Sequence, residues 1–248
     1  MTTCDISAIV TFHDEGALAK ASLTSAAHAR AFAERQGLRV EIITVADASD
    51  AETKGRLSST PGVELRLSVA HRDPGLARNA GVRAARGEWI AFLDGDDMWG
   101  ENWLAAAHAF ARRDKRELVL HPQVSVYFGQ DSFLFIHMDM EDDDFDLLSL
   151  SMSNYWTVLA FARRDVCSAI PFPPRDLAHH IGFEDWGWHL ATISQGLIHK
   201  SVPGTAHAIR SRRISVVRED QAVKAFPAHT PLFRDLLSRM AAQRDSGT

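Results

Sequence analysis

Short apolar runs separated by polar, helix-compatible stretches organise the first half of this chain. Runs at 6–11, 40–45, 63–69 and 89–93 predict four strands. Residues 17–36 are Ala-rich and predict a helix that Gly37 stops. A second helix is predicted over 75–86, closed by Gly87, and a third over 103–113. This β-α alternation predicts an α/β fold: a doubly wound, mostly parallel sheet flanked by helices. The second half is patterned differently. Apolar runs over 119–136 are broken by Pro122, Gly129 and Asp131 and suit strands and loops. Pro171, Pro173 and Pro174 mark an irregular connection, followed by a helix over 185–195 and a strand over 197–202. Over 231–242, Leu232, Phe233, Leu236, Leu237 and Met240 share one side, which predicts an amphipathic helix packed on its own domain, with a peripheral membrane or dimer contact as the alternative.

No linker, repeat or low-complexity segment divides the 248 residues, so one domain is expected. Within it, 1–121 reads as one half, 122–222 as a smaller second region, and 223–248 as the C-terminal helix. A hydrophobic fraction of 46% can fill a full core, and a formal net charge of −5 carries no global nucleic-acid signature. Cys4 and Cys167 lack metal-ligand spacing and fit a reduced, cytoplasmic protein. The N-terminus lacks a basic region followed by an apolar one, so no signal peptide is expected. No apolar run approaches the roughly 20 residues that span a bilayer. A soluble protein is expected, with peripheral contact at the inner face of the membrane left open. The acidic run Glu141-Asp142-Asp143-Asp144 reads as a solvated loop.

Candidate chemistry concentrates at the exits of the predicted strands. Leu93-Asp94-Gly95-Asp96-Asp97 puts three carboxylates at the end of a buried strand. Like charges that close need a cation or a hydrogen-bond network, and a hard divalent cation shared with phosphate oxygens would explain them. Asp47 lies just beyond the second strand, and parallel strands bring such ends to one edge. Between these sites, Asp73-Pro74-Gly75-Leu76-Ala77-Arg78-Asn79 starts a helix, and its first turns suit anions.

Four segments in order carry a resemblance. They are Ile6-Ser7-Ala8-Ile9-Val10-Thr11, then Val40 through Asp47-Ala48-Ser49, then Gly75-Leu76-Ala77-Arg78-Asn79-Ala80-Gly81, then Gly87-Glu88-Trp89 through Asp94-Gly95-Asp96-Asp97. Together they resemble family 2 glycosyltransferases of the GT-A fold. Further along, Gly182-Phe183-Glu184-Asp185-Trp186 is similar to the family's Glu-Asp motif on the acceptor side. The segment 204–215, with His207, Arg210 and Ser215, looks like the one that closes over the donor diphosphate. His13 departs from the family's usual Asn, Ala46-Asp47 from its paired aspartates, and Trp186-Gly187-Trp188 from its usual residues after the Glu-Asp motif.

The resemblance implies metal-dependent transfer of a sugar from a nucleoside diphosphate donor to an acceptor hydroxyl, with inversion. It implies Mg²⁺ or Mn²⁺ held by Asp96, with Asp94 second and His207 third. Asp185 would be the general base, with Glu184 as the alternative and helix capping as a coexisting role. Thr11, Asp47 and Arg78 would contact the nucleoside. An acceptor from a base N–H favours uridine diphosphate, though guanine and thymine offer the same group. Two other readings stand beside this one. A nucleotidyltransferase would want a basic, Gly-rich loop where Thr11-Phe12-His13-Asp14-Glu15-Gly16 stands. A sugar-nucleotide-binding protein without activity would not need Asp94, Asp96 and Asp185. The acceptor, whether saccharide, lipid-linked saccharide or another hydroxyl, is not legible.

Overall fold

The computed structural model describes residues 4–213, 215–234 and 238. Among the described residues, nine strands form a single sheet. They are β1 (Ile6–Phe12), β2 (Val40–Asp47), β3 (Leu65–Val69), β4 (Trp89–Asp94), β5 (Met98–Trp99), β6 (Leu118–Gly129), β7 (Phe133–Ile136), β8 (Phe161–Arg163) and β9 (Ile198–Ser211). Their order is β3-β2-β1-β4-β8-β6-β9-β5, with β7 paired to β6. The helices are α1 (Ala19–Arg35), α2 (Ala51–Ser59), α3 (Pro74–Ala84), α4 (Trp103–Ala111), α5 (Arg164–Ala169), α6 (Glu184–Ser194) and α7 (Val216–Ala222).

β3, β2, β1 and β4 are mutually parallel, as the alternating pattern predicts. Strand order reverses at β1: α1 and α2 step the chain one way, and α3 carries it back to β4. Right-handed crossovers therefore put α3 on the face opposite α1 and α2. Both faces are covered, and β1 and β2 are accordingly buried at every position. Ligands in such sheets bind beyond the carboxyl ends of the strands at this reversal. The ends concerned are Thr11 on β1, Asp47 on β2 and Asp94 on β4.

The structure departs from the sequence reading at β6, β9 and α2. The run expected to break near Pro122 is one twelve-residue strand, β6. A register shift between Pro122 and Val124 absorbs the proline, where the partner β9 carries an extra loop through Gly204. β9 does not stop at Val202; it continues to Ser211. The segment resembling a diphosphate-covering loop is thus mostly strand. Helix α2 was not expected, although Asp50 caps it by accepting from the Thr53 amide at 2.7 Å.

Two hydrophobic clusters fill the interior. The larger lies on the sheet, and the smaller joins Leu150, Trp156, Leu190 and Ile193. Leu232 and Phe233 pack against the smaller cluster. Most of the amphipathic helix expected over 231–242 lies outside the described residues. The acidic run 141–144 is exposed, and Glu141 pairs with Arg116 and Lys200. Among the described residues no helix is long and apolar enough to cross a membrane.

Candidate active site

A cavity of about 420 Å³ opens at the strand-order reversal. Thr11, Asp47, Arg78, Asp94, Asp96, Glu184 and Asp185 all line it. Seven of the eight expected site residues are brought together; His207 is not.

Asp94 and Asp96 leave β4 through a turn closed by the Asp97 amide on the Asp94 carbonyl, 3.1 Å. Thr11 donates its hydroxyl to Asp94 Oδ1 at 3.2 Å. Asp96 is 7% exposed and meets Arg212 Nε at 2.8 Å. Burial pushes its carboxyl above the usual range, with Arg212 opposing. Asp97 turns inward and accepts from the Arg210 amide at 2.7 Å, so it faces the fold and not the cavity.

Arg78, expected beside the nucleoside, lines the cavity and is a buried tie, 2% exposed. Nη2 donates to Asp94 Oδ1 at 2.7 Å and Nη1 to Glu184 Oε1 at 2.8 Å. The planar fork thereby joins the two acidic motifs, reaching from Arg78 to a partner 106 positions further along the chain. Glu184, so occupied and 6% exposed, is not a free base.

Asp185 is the carboxylate of that motif left at the cavity wall. Phe183, in the left-handed conformation (φ 49°), turns the chain into α6 and sets Glu184 and Asp185 in its first turn. Its amide donates to Asp220 Oδ2 at 2.7 Å, and Arg175 holds the other oxygen of Asp220. Gly182 permits this close approach, since a Cβ there would lie 2.7 Å from Asp220. Burial, then the neighbouring Glu184 charge, raise the Asp185 carboxyl to about 7.

Asp47 lines the same cavity from the end of β2. Its carboxylate accepts three backbone amides, from His71 at 2.6 Å and from Arg72 and Asp73 at 2.9 Å each. It shapes the 71–73 loop beside the cavity, and in doing so holds Arg72 at φ 54°. A nucleobase N–H would have to share an already engaged carboxylate.

His207 stands apart from the other expected residues. It sits mid-strand in β9 opposite Trp99, is 2% exposed, and packs 4.7 Å from the Trp103 ring. Neither ring nitrogen has a partner, and its ring does not line the cavity. The segment instead contributes Arg212, which sequence reasoning did not single out. Arg212 also lies 3.7 Å from Glu15, whose carboxyl burial pushes up to about 7. Glu15, Arg175 and Asp220 were likewise missed; each is isolated in sequence and meaningful only through a distant partner.

Among the described residues no group of three His, Cys, Asp or Glu side chains is already arranged around a metal position. Asp94 and Asp96 nevertheless offer hard oxygens at one wall. That donor set suits a hard cation that completes its shell with phosphate and water oxygens.

Several known proteins resemble this chain in fold or in sequence. The structure of S. aureus TarS 1-349 in complex with UDP-GlcNAc matches with a TM-score of 0.66 at 18% identity, over 86% of this chain and 60% of that one. Mannosyltransferase PcManGT from Pyrobaculum calidifontis, in complex with GDP-Man and Mn²⁺, matches with a TM-score of 0.60 at 15% identity, over 97% of this chain and 70% of that one. These likenesses show the GT-A fold. The succinoglycan biosynthesis protein ExoO of Rhizobium meliloti (strain 1021) is 45% identical over 65 residues, which span 25% of this chain and only 19% of ExoO. The model of glycosyl transferase family 2 matches residues 7–170, which take in the four segments of the resemblance from Ser7 onward. The chain belongs to glycosyl transferase family 2.

Proposed function

We propose that this glycosyltransferase moves a sugar from a nucleoside diphosphate donor, with UDP favoured, to an acceptor hydroxyl by single displacement with inversion. The observation that carries the reading is the pairing of Asp185 with the Asp94-Asp96 turn across one cavity, tied by Arg78. One wall suits a diphosphate and its counter-charge; the other presents a single carboxylate that is not ion-paired. One base with no second carboxylate free to attack the sugar supports inversion. Asp185 takes the proton from the acceptor hydroxyl as that oxygen attacks the anomeric carbon and the bond to the diphosphate breaks.

Asp94 and Asp96 would hold Mg²⁺ or Mn²⁺, which supplies Lewis-acid stabilisation of the leaving phosphate oxygens. Arg212, now on Asp96, is a cation within reach of the same charge. Thr11 fixes Asp94, and Asp47 shapes the nucleoside end through the 71–73 loop. TarS was solved with UDP-GlcNAc and the mannosyltransferase with GDP-Man and Mn²⁺, which supports a nucleotide-sugar donor and makes both nucleotides the first probes.

The test is a nucleoside diphosphate-sugar panel with Mn²⁺, scored for binding and transfer in three proteins. Asp96→Ala should lose metal-dependent binding. Asp185→Asn should keep binding and lose roughly 10²–10⁴-fold in transfer. Undiminished transfer by Asp185→Asn would sink the base assignment.

A further inference from the structure

Behind Asp185 runs a polar chain that the transfer reading does not use. Asn154 donates from Nδ2 to Asp185 Oδ2 over 3.3 Å. Its Oδ1 accepts the Trp156 amide at 3.3 Å and faces His189 Nδ1 at 3.1 Å. A backbone N–H can only donate, so the oxygen end of the Asn154 amide faces Trp156 and the NH₂ end faces Asp185. His189 Nδ1 must then carry a hydrogen. His189 lies four residues past Asp185 on α6, fully buried beside His121, His199 and Trp156. Burial, then the nearby His199 and His137, keep it neutral. Its tautomer is therefore fixed, with Nε2 left without a partner. The far oxygen of Asp185 accepts the Trp186 amide at 2.7 Å. Both carboxylate oxygens are thus gripped, one by backbone and one by a side chain that is itself clamped.

Building on the reading of Asp185 as the base, we propose that Asn154 is a positioning residue, held by His189, that fixes the Asp185 carboxylate toward the acceptor hydroxyl. An N–H aimed at a carboxylate also favours its ionised form. Asn154 therefore both orients the base and eases its deprotonation against the cost of burial. The charged and titratable groups that act on Asp185 are Glu184 beside it, Arg78 on α3 and Asp94 on β4, and Tyr127 on β6 lies within range of its charge. Substituting Asn154 leaves all of them in place.

The test is a carboxyl ¹³C NMR titration of aspartate-labelled protein, with the Asp185 signal assigned by its loss in Asp185→Asn. The wild-type midpoint is expected at about 7. Asn154→Leu, which keeps the bulk and removes the donor, should raise it by about one pH unit. His189→Leu, which releases the Asn154 amide, should raise it by less. His189→Gln, which restores an N–H donor, should return it to the wild-type value. An Asn154→Leu midpoint at or below wild type would overturn the proposal. Should that variant not fold, equal midpoints in His189→Leu and His189→Gln would overturn it instead. The titration needs no substrate, so its failure is distinct from retained transfer in Asp185→Asn, which would remove the base reading alone.

Discussion

The acidic cavity and the buried histidine cluster both gather titratable groups, and they treat charge in opposite ways. In the cavity, charge is kept: Arg78, Arg175 and Arg212 answer Asp94, Glu184, Asp220 and Asp96. In the cluster, charge is shed. Thr192 gives its hydroxyl hydrogen to backbone carbonyls and accepts from His199 Nε2 at 2.8 Å. His199 Nδ1 must then accept from His121 Nε2 at 2.9 Å. Ser125 partners His137, and Trp156 stacks on His121 and His199. Burial pushes His137 and His199 down to about 3 and holds His121 and His189 well below the usual imidazole range. Burial of ionisable groups is thus not by itself the mark of a site. What distinguishes the cavity is opposite charge held beside an opening.

The largest break in this comparison should come from Arg78→Leu. It strands Asp94 and Glu184 without their cation and should cost about 3–5 kcal/mol in urea unfolding at neutral pH. A loss below about 1 kcal/mol would show that the tie is not what holds the two motifs together.

The pH dependence of stability sharpens the contrast. The cluster histidines have depressed folded values, so the unfolded chain takes up protons that the folded one refuses. Their contribution is intact above about 6.5 and is lost as pH falls toward about 3. Glu15 and Asp185, raised to about 7, act in reverse: the folded state keeps protons that the unfolded chain releases near 4. Their favourable contribution is lost as pH rises from about 4 to about 7, so the two regions offset each other across this window. His121→Phe should make acid destabilisation shallower and Glu15→Gln should make it steeper. Each change is expected at about 1.4 kcal/mol per pH unit near pH 5.5, from urea midpoints measured across that range.

The pH dependence of transfer should follow the cavity. If Asp185 is the base, transfer should rise tenfold per pH unit below about 7 and level off above it. An acidic limb centred near pH 4 would place the base elsewhere. The smallest expected effect is Thr192→Val, which leaves His199 Nε2 without its partner and should cost about 1–3 kcal/mol with transfer unchanged. Lost transfer in that variant would mean that the cluster reaches the chemistry through more than Asn154.

The same contrast explains what could be read in advance. The parallel half was legible because each strand is a short apolar run and each strand-end carboxylate follows it directly. Helix α2 escaped because nine largely polar residues give no apolar stripe. β6 escaped because Pro122 reads locally as a break, while the compensating bulge depends on β9, 80 residues away. Asp94, Asp96 and Asp185 were singled out because short motifs carry them. The residues around them were not: Arg212, Asn154 and Asp220 are ordinary residues until the fold brings them into contact. Arg78, Asp47 and His207 were singled out too, but their burial, and the hydrogen bonds of Arg78 and Asp47, were not legible.

Gly95 lies at the centre of the acidic turn with no room beside it. A Cβ there would fall 2.3 Å from the Phe12 ring and 2.8 Å from the Thr11 carbonyl oxygen. The separation of the flanking carboxylates is therefore set from beneath, by an aromatic ring on the neighbouring strand. A codon library randomised at position 95 and selected for folding alone, with no substrate present, should return glycine almost exclusively. The spelling of this turn is in part a record of carpentry, and its chemistry inherits the fit.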